Sequence, residues 1–149
     1  MKRNENSMHK RKGRGTLKKS KGLLLDTCAW VEYFRPRSSI LKQTVEDLLL
    51  TEQVCFCGPV LYELSQGIKS EKERAMLTDA FAALMYVEMN EALWFKAGEL
   101  STFVKKHGKT IPLSDILIAS LALEHDLTIL TVDKHFEQIP GLKLYTLKG

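Results

Sequence analysis

Four acidic residues in this 149-residue chain each stand where a short apolar segment ends or a helix begins. Asp26 follows Leu23-Leu24-Leu25, and Glu63 lies in Pro59-Val-Leu-Tyr-Glu-Leu. Asp115 lies in Ile111-Pro-Leu-Ser-Asp, and Asp133 follows Leu127-Thr-Ile-Leu-Thr-Val. In an open α/β sheet, strand ends and helix starts meet at one rim, where ligands bind. Carboxylates gathered there repel one another unless a cation sits between them, and oxygen-rich sites suit hard divalent ions. Mg2+ or Mn2+ held in this way lowers the pKa of bound water and neutralises charge on a scissile phosphate. The chemistry suggested is metal-dependent hydrolysis of a phosphodiester, with Glu63 or Asp133 orienting the attacking water.

Taken singly, each acid has an ordinary structural reading. Asp26 can cap the helix that follows it, Asp115 suits the positive end of a helix dipole, Asp133 can start a short helix, and Glu63 can be a solvated charge. Jointly they ask for more. Asp26 and Asp133 end two strands while Glu63 and Asp115 open two helices, and nothing structural requires four acids on one rim. Mutual repulsion there raises carboxyl pKa values unless the site is used.

The elements that must position these residues follow from periodicity and punctuation. Strands are predicted at Leu23–Leu25, Val54–Cys57, Met85–Val87, Leu127–Leu130 and Leu142–Tyr145. Helices are predicted at Cys28–Phe34, Ile40–Leu50, Pro59 to about Gly67, and Glu71–Leu84. Asn90 is expected to cap a helix reaching about His107, with Leu93, Trp94, Ala97, Leu100 and Val104 as its apolar stripe and Gly108 closing it. Ser114 is expected to cap a helix from Asp115 to His125 that buries Ile116, Ala119, Ser120 and Leu123. A short helix is expected over Asp133–Gln138. Short apolar strands alternating with helices imply a mainly parallel sheet covered on both faces.

Bulk properties bound the rest. The length fits one domain, and 44% hydrophobic with 27% charged residues is an ordinary globular balance. Charge is segregated. Residues 1–21 hold nine of the 22 Lys and Arg residues and one of the 18 acids, which leaves 13 bases and 17 acids in the body. Residues 1–21 lack a hydrophobic period and are expected to be a disordered basic extension, with residues 22–149 forming the folded domain. The extension could add RNA affinity through phosphates, or mark an upstream start, since Met8 offers another initiator. Three cysteines without a CxxC pair indicate neither a disulfide framework nor a zinc site. The apolar run Leu23–Leu25 is too short for a secretory signal, and no stretch is long enough to span a bilayer. A cytoplasmic location with no membrane association is the expectation.

The chain from about Leu23 to Leu147 resembles the PIN domain and, within it, the VapC-type ribonuclease toxins of prokaryotic type II toxin–antitoxin pairs. The matching segments are Leu-Leu-Leu-Asp26-Thr27, Leu61-Tyr-Glu63-Leu-Ser-Gln-Gly67, Pro112-Leu-Ser-Asp115-Ile-Leu-Ile-Ala-Ser and Leu130-Thr-Val-Asp133-Lys-His-Phe136. The resemblance implies a three-layer α/β/α fold around a mainly parallel sheet, and metal-dependent endoribonuclease activity. Asp26 and Asp115 then correspond to the principal ligands of Mg2+ or Mn2+. Glu63 and Asp133 complete the acidic pocket, and Thr27 and Thr131 match hydroxyl positions beside the first and last acids. Some relatives carry a further acid near the fourth position, where this chain has Lys134 and His135. The resemblance also implies an RNA substrate, a cognate antitoxin protein and a homodimer.

Other residues invite roles around that site. Lys69, Lys72, Arg74, Lys105, Lys106, Lys109 and Lys134 could form a phosphate-contacting rim. Trp30, Tyr33 and Phe34 read as core or partner-docking aromatics. His107 and His125 fall near predicted helix ends as capping cations, and His135 is the histidine beside the acidic set. Two alternatives stay open: an RNA-processing PIN-domain nuclease without an antitoxin, and a catalytically silent RNA- or protein-binding module.

Overall fold

Residues 20–147 are described by a computed structural model. Five strands, β1 (Gly22–Leu25), β2 (Val54–Cys57), β3 (Met85–Val87), β4 (Leu127–Leu130) and β5 (Lys143–Leu144), form one sheet in the order β3-β2-β1-β4-β5. Every pairing is parallel; Leu23 is in register with Val54 on one side and Thr128 on the other. The expected extension falls on residues outside the described range except for its last two. Ser20 accepts a hydrogen bond from Thr128 at 2.8 Å, and Lys21 donates to the Asp126 carbonyl at 2.9 Å.

The central position of β1 explains its composition. A strand paired on both edges and covered on both faces must be apolar throughout, and Leu23, Leu24 and Leu25 are fully buried. Gly22 is required by close approach: a Cβ there would lie 2.8 Å from the Gln53 carbonyl oxygen. Between the strands lie α1 (Thr27–Phe34), α2 (Ile40–Thr51), α3 (Gly58–Gln66), α4 (Glu71–Phe81), α5 (Glu91–Lys106) and α6 (Leu113–His125). Helix α1 packs on α2 and α3, α5 packs on α6, and α3 also touches α6. The chain steps outward from β1 to β2 to β3, then returns to β4 on the other side of β1. Right-handed crossovers therefore cover opposite faces of the sheet, and the reversal leaves a crevice between the carboxyl ends of β1 and β4.

Several boundaries differ from the periodicity. Pro112, not Ser114, caps α6: its backbone is extended (φ −55°, ψ 151°), and the first helical bond runs from Ile116 N–H to the Pro112 carbonyl. Ser114 is thus inside the helix, and Asp115 occupies the first turn. Asn90 does cap α5 through the Leu93 N–H, at 2.9 Å. Its Trp94, however, is 53% exposed and lies outside the buried stripe; Leu123 of α6 is likewise exposed. Helix α4 stops at Phe81, short of Leu84, and Asp133 precedes a 3-10 helix over Lys134–Gln138. Glu63 lies beyond the middle of α3 rather than at its opening. Among the described residues, no helix is long and apolar enough to cross a membrane.

Candidate active site

The crevice at the strand reversal is where the acids meet. Asp26 ends β1, and its N–H donates to the Leu130 carbonyl at the end of β4, 2.9 Å away. Its carboxylate serves two elements at once. Oδ1 accepts from the Thr27 N–H at 2.8 Å, capping α1, and Oδ2 accepts from Thr131 Oγ1 at 2.7 Å. Thr131 Oγ1 in turn accepts from the Asp133 N–H at 3.0 Å, and Asp133 Oδ1 accepts from the His135 N–H at 2.9 Å. His135 Nδ1 then stands 3.0 Å from both Asp115 Oδ2 and Asp133 Oδ1. One run of hydrogen bonds thus ties the ends of β1 and β4 to the first turn of α6.

These groups border a cavity of about 480 Å³ whose lining includes Asp26, Thr27, Arg35, Glu63, Asp115 and Asp133. Asp26 and Asp115 are buried, whereas Glu63 and Asp133 are partly exposed. Burial pushes the Asp115 carboxyl above its usual range; the His135 hydrogen bond opposes this, and the charges of Asp26 and Asp133 add to it. His135 titrates above the ordinary histidine value, chiefly because it is hydrogen-bonded to Asp115 and then because of the Asp133 charge. Burial also raises the Cys28 thiol.

The donor set fits a divalent cation. Asp115, Asp133 and His135 each present one ligand atom, all within 4.8 Å of one another, a grouping that can hold a metal ion. Asp26 and Glu63 supply further oxygens on the same cavity. Thr27 Oγ1 is buried without a hydrogen-bond partner among the described residues, so the site retains a polar atom that a water or ligand could satisfy.

All four predicted acids therefore line one cavity, and Thr131 joins two of them directly. Thr27 contributes its N–H to Asp26. The seven basic residues expected at the rim are exposed but do not line this cavity; the base that does is Arg35, paired with Glu32 at 3.1 Å. Trp30 is core, fully buried 4.7 Å from the Phe81 ring centroid, and Tyr33 and Phe34 are partly buried and pack against that core. His107 Nδ1 meets the Phe103 carbonyl at the end of α5, 2.8 Å away, and His125 ends α6. Two site residues carried little sequence signal. Cys28 places its sulfur 3.6 Å from Asp26 Oδ2 and 3.7 Å from Thr131 Oγ1, and His135 bridges two acids, of which only its neighbour in sequence was visible.

The PIN-domain family model matches residues 23–142. A VapC ribonuclease of Mycobacterium bovis is 31% identical over 121 residues, covering 78% of this chain and 90% of that protein. Ribonuclease VapC2 of Rickettsia felis is 29% identical over 126 residues, covering 81% and 94%. Among solved structures, VapBC2 from Rickettsia felis bound to a promoter DNA fragment superposes with a TM-score of 0.70 at 26% identity, over 82% of this chain and 96% of that one. VapBC-1 from nontypeable Haemophilus influenzae shares the fold, with a TM-score of 0.71 at 22% identity over 84% and 97%. The family model spans most of the chain and the curated relatives are VapC ribonucleases, so the chain belongs to the PIN-domain family, in the group of its VapC relatives.

Proposed function

We propose that this chain is a metal-dependent endoribonuclease that hydrolyses RNA phosphodiester bonds, and that it is the toxin of a type II toxin–antitoxin pair. The observation carrying the reading is the convergence of Asp26, Glu63, Asp115 and Asp133 on one cavity at the strand reversal of a PIN-domain chain. Relatives named as VapC ribonucleases support the activity, and neighbours solved as VapBC assemblies support a cognate antitoxin. A homodimer also belongs to this reading. A groove of about 410 Å³ bordered by the exposed Tyr62, Tyr86, Trp94 and Leu113 offers an apolar surface of the kind that marks protein contacts.

Asp26, Asp115 and Asp133, with Glu63, would hold Mg2+ or Mn2+, which when bound supplies an activated water and offsets charge on the scissile phosphate. The residues do the rest. Thr131 fixes the Asp26 carboxylate and the Asp133 backbone in one arrangement, so both acids face the cavity without rearranging. Glu63 and Asp133, the more exposed pair, would orient a water and accept its proton. Arg35, which lines the cavity, can meet a phosphate oxygen, giving up part of its pairing with Glu32.

The test is cleavage of total cellular RNA by purified protein with Mg2+, Mn2+ or EDTA, beside Asp26→Asn. Discrete products that need metal and vanish in the variant are expected. Cleavage that survives both EDTA and Asp26→Asn would sink the reading.

A further inference from the structure

Arg35 and His135, two nitrogen-bearing side chains near the acidic set, are held differently. Arg35 is paired with Glu32, whereas His135 contacts two of the acids themselves. Its Nδ1 is 3.0 Å from Asp115 Oδ2 and 3.0 Å from Asp133 Oδ1. An octahedral ion with bonds of about 2.1 Å sets adjacent donors about 3.0 Å apart, so the hydrogen-bond spacings found here also match those of neighbouring ligands on one ion. The ring is anchored from its own backbone: the His135 N–H is held by Asp133, and the next residue, Phe136, is fully buried. The side chain is 41% exposed, which leaves room for the ring to adjust to an ion.

A nitrogen at this corner changes what the site prefers. Mg2+ takes oxygen donors almost exclusively, while first-row transition ions accept imidazole. We infer that His135 is a metal ligand through Nδ1, a specificity-determining residue that turns the acidic site toward first-row transition ions and away from Mg2+. This rests on the metal-dependent reading proposed above and names the selectivity of that site. To bind, the ring carries its hydrogen on Nε2, and Nδ1 exchanges its contacts with the two carboxylates for a bond to the ion they share. The competing role is a counter-cation that only holds Asp115 and Asp133 together in the metal-free protein. Removing a counter-cation would strengthen metal binding; removing a ligand weakens it.

Mn2+ is the probe. Full-length protein loaded with Mn2+ is measured by electron spin-echo envelope modulation, which detects a nitrogen nucleus bonded to the ion. Calorimetric titrations with Mn2+ and with Mg2+ are run in parallel on wild type, His135→Gln and His135→Asn, with circular dichroism as the folding control. Nitrogen modulation is expected in the wild type and lost in both variants. Mn2+ affinity should fall at least about tenfold, as it does when even an outer-shell partner is removed, while Mg2+ affinity changes little. Mn2+ binding without nitrogen modulation, or with modulation unchanged in the variants, overturns ligation by His135 and leaves the metal site standing. Tighter Mn2+ binding in the variants identifies the counter-cation and also overturns it. No Mn2+ binding to the wild type overturns both the inference and the metal-dependent reading.

Discussion

Thr131 Oγ1 donates to Asp26 Oδ2 at 2.7 Å while accepting the Asp133 N–H at 3.0 Å, so a single hydroxyl aligns acids that follow two different strands. Thr131→Val keeps the shape but leaves a carboxylate oxygen and a backbone N–H without this partner. A hydrogen bond to a charged group contributes about 1.5–3 kcal/mol. Even partial loss of alignment at that scale should slow RNA cleavage at least about tenfold, and Thr131→Ser should restore it. Single-turnover cleavage rates on one RNA check this; a wild-type rate in Thr131→Val would show that the hydroxyl is dispensable for alignment.

Asp115 sets function against stability. Burial raises its pKa, and the neighbouring charges of Asp26 and Asp133 push the same way against the His135 hydrogen bond, so the charged carboxylate is less favourable here than in the unfolded chain. Asp115→Asn supplies a neutral side chain of the same shape, still beside His135. The metal-free variant should unfold at the same temperature as wild type or higher, while cleavage is abolished and metal binding is sharply weakened. Thermal unfolding in EDTA, together with metal titration, tests both halves. Retained turnover would remove Asp115 from the metal site.

The parts of this fold that were legible in the sequence are those set by local rules. Strand β1 reads as an apolar run and β4 as one interrupted only by Thr128, because the sheet buries both, and Asp26 and Asp133 were visible because each follows such a segment. Periodicity could not say which edge of a wide apolar stripe reaches the core, so Trp94 and Leu123 were placed inside when both face out. It also could not weigh Pro112 against Ser114 as a cap, because Pro112's restricted backbone turns directly into the helix. The His135–Asp115 contact joins residues 20 apart in sequence through the turn after β4. No spacing rule encodes that contact, and the same holds for Arg35 lining the cavity in place of the seven predicted basic residues.

Cys57 gives the fold an alkaline weakness. Burial pushes its thiol up to about 12, from an ordinary value of 9.0. Between those values the unfolded chain has released the proton that the folded chain still holds. The contribution is therefore fully present below pH 9.0 and is lost as pH rises toward 12. The slope approaches about 1.4 kcal/mol per pH unit. Urea unfolding at pH 8 and pH 10 should show a smaller alkaline loss in Cys57→Ala than in wild type, even though the variant starts lower for want of the buried sulfur. The folded protein should also resist iodoacetamide at Cys57 at pH 8, since only the thiolate reacts. Equal pH dependence in the two proteins would contradict this.

Trp30 carries a defect that a smaller ring removes. It is fully buried, with ring centroids 4.7 Å from Phe81 and 5.7 Å from Tyr33, yet its Nε1 has no hydrogen-bond partner among the described residues. Leaving a buried donor unpaired costs about 1–3 kcal/mol, and Trp30→Phe eliminates that donor while losing part of the packing. The two effects oppose each other, so the net cost should stay below about 1.5 kcal/mol, the range of tolerated hydrophobic exchanges. Trp30→Ala gains the same relief but opens a cavity, and should cost about 3–5 kcal/mol. Because α1 begins beside Asp26, RNA cleavage in both variants should track the folded fraction. Urea denaturation of the pair decides: a Trp30→Phe cost as large as that of Trp30→Ala would mean that the indole N–H is satisfied in solution.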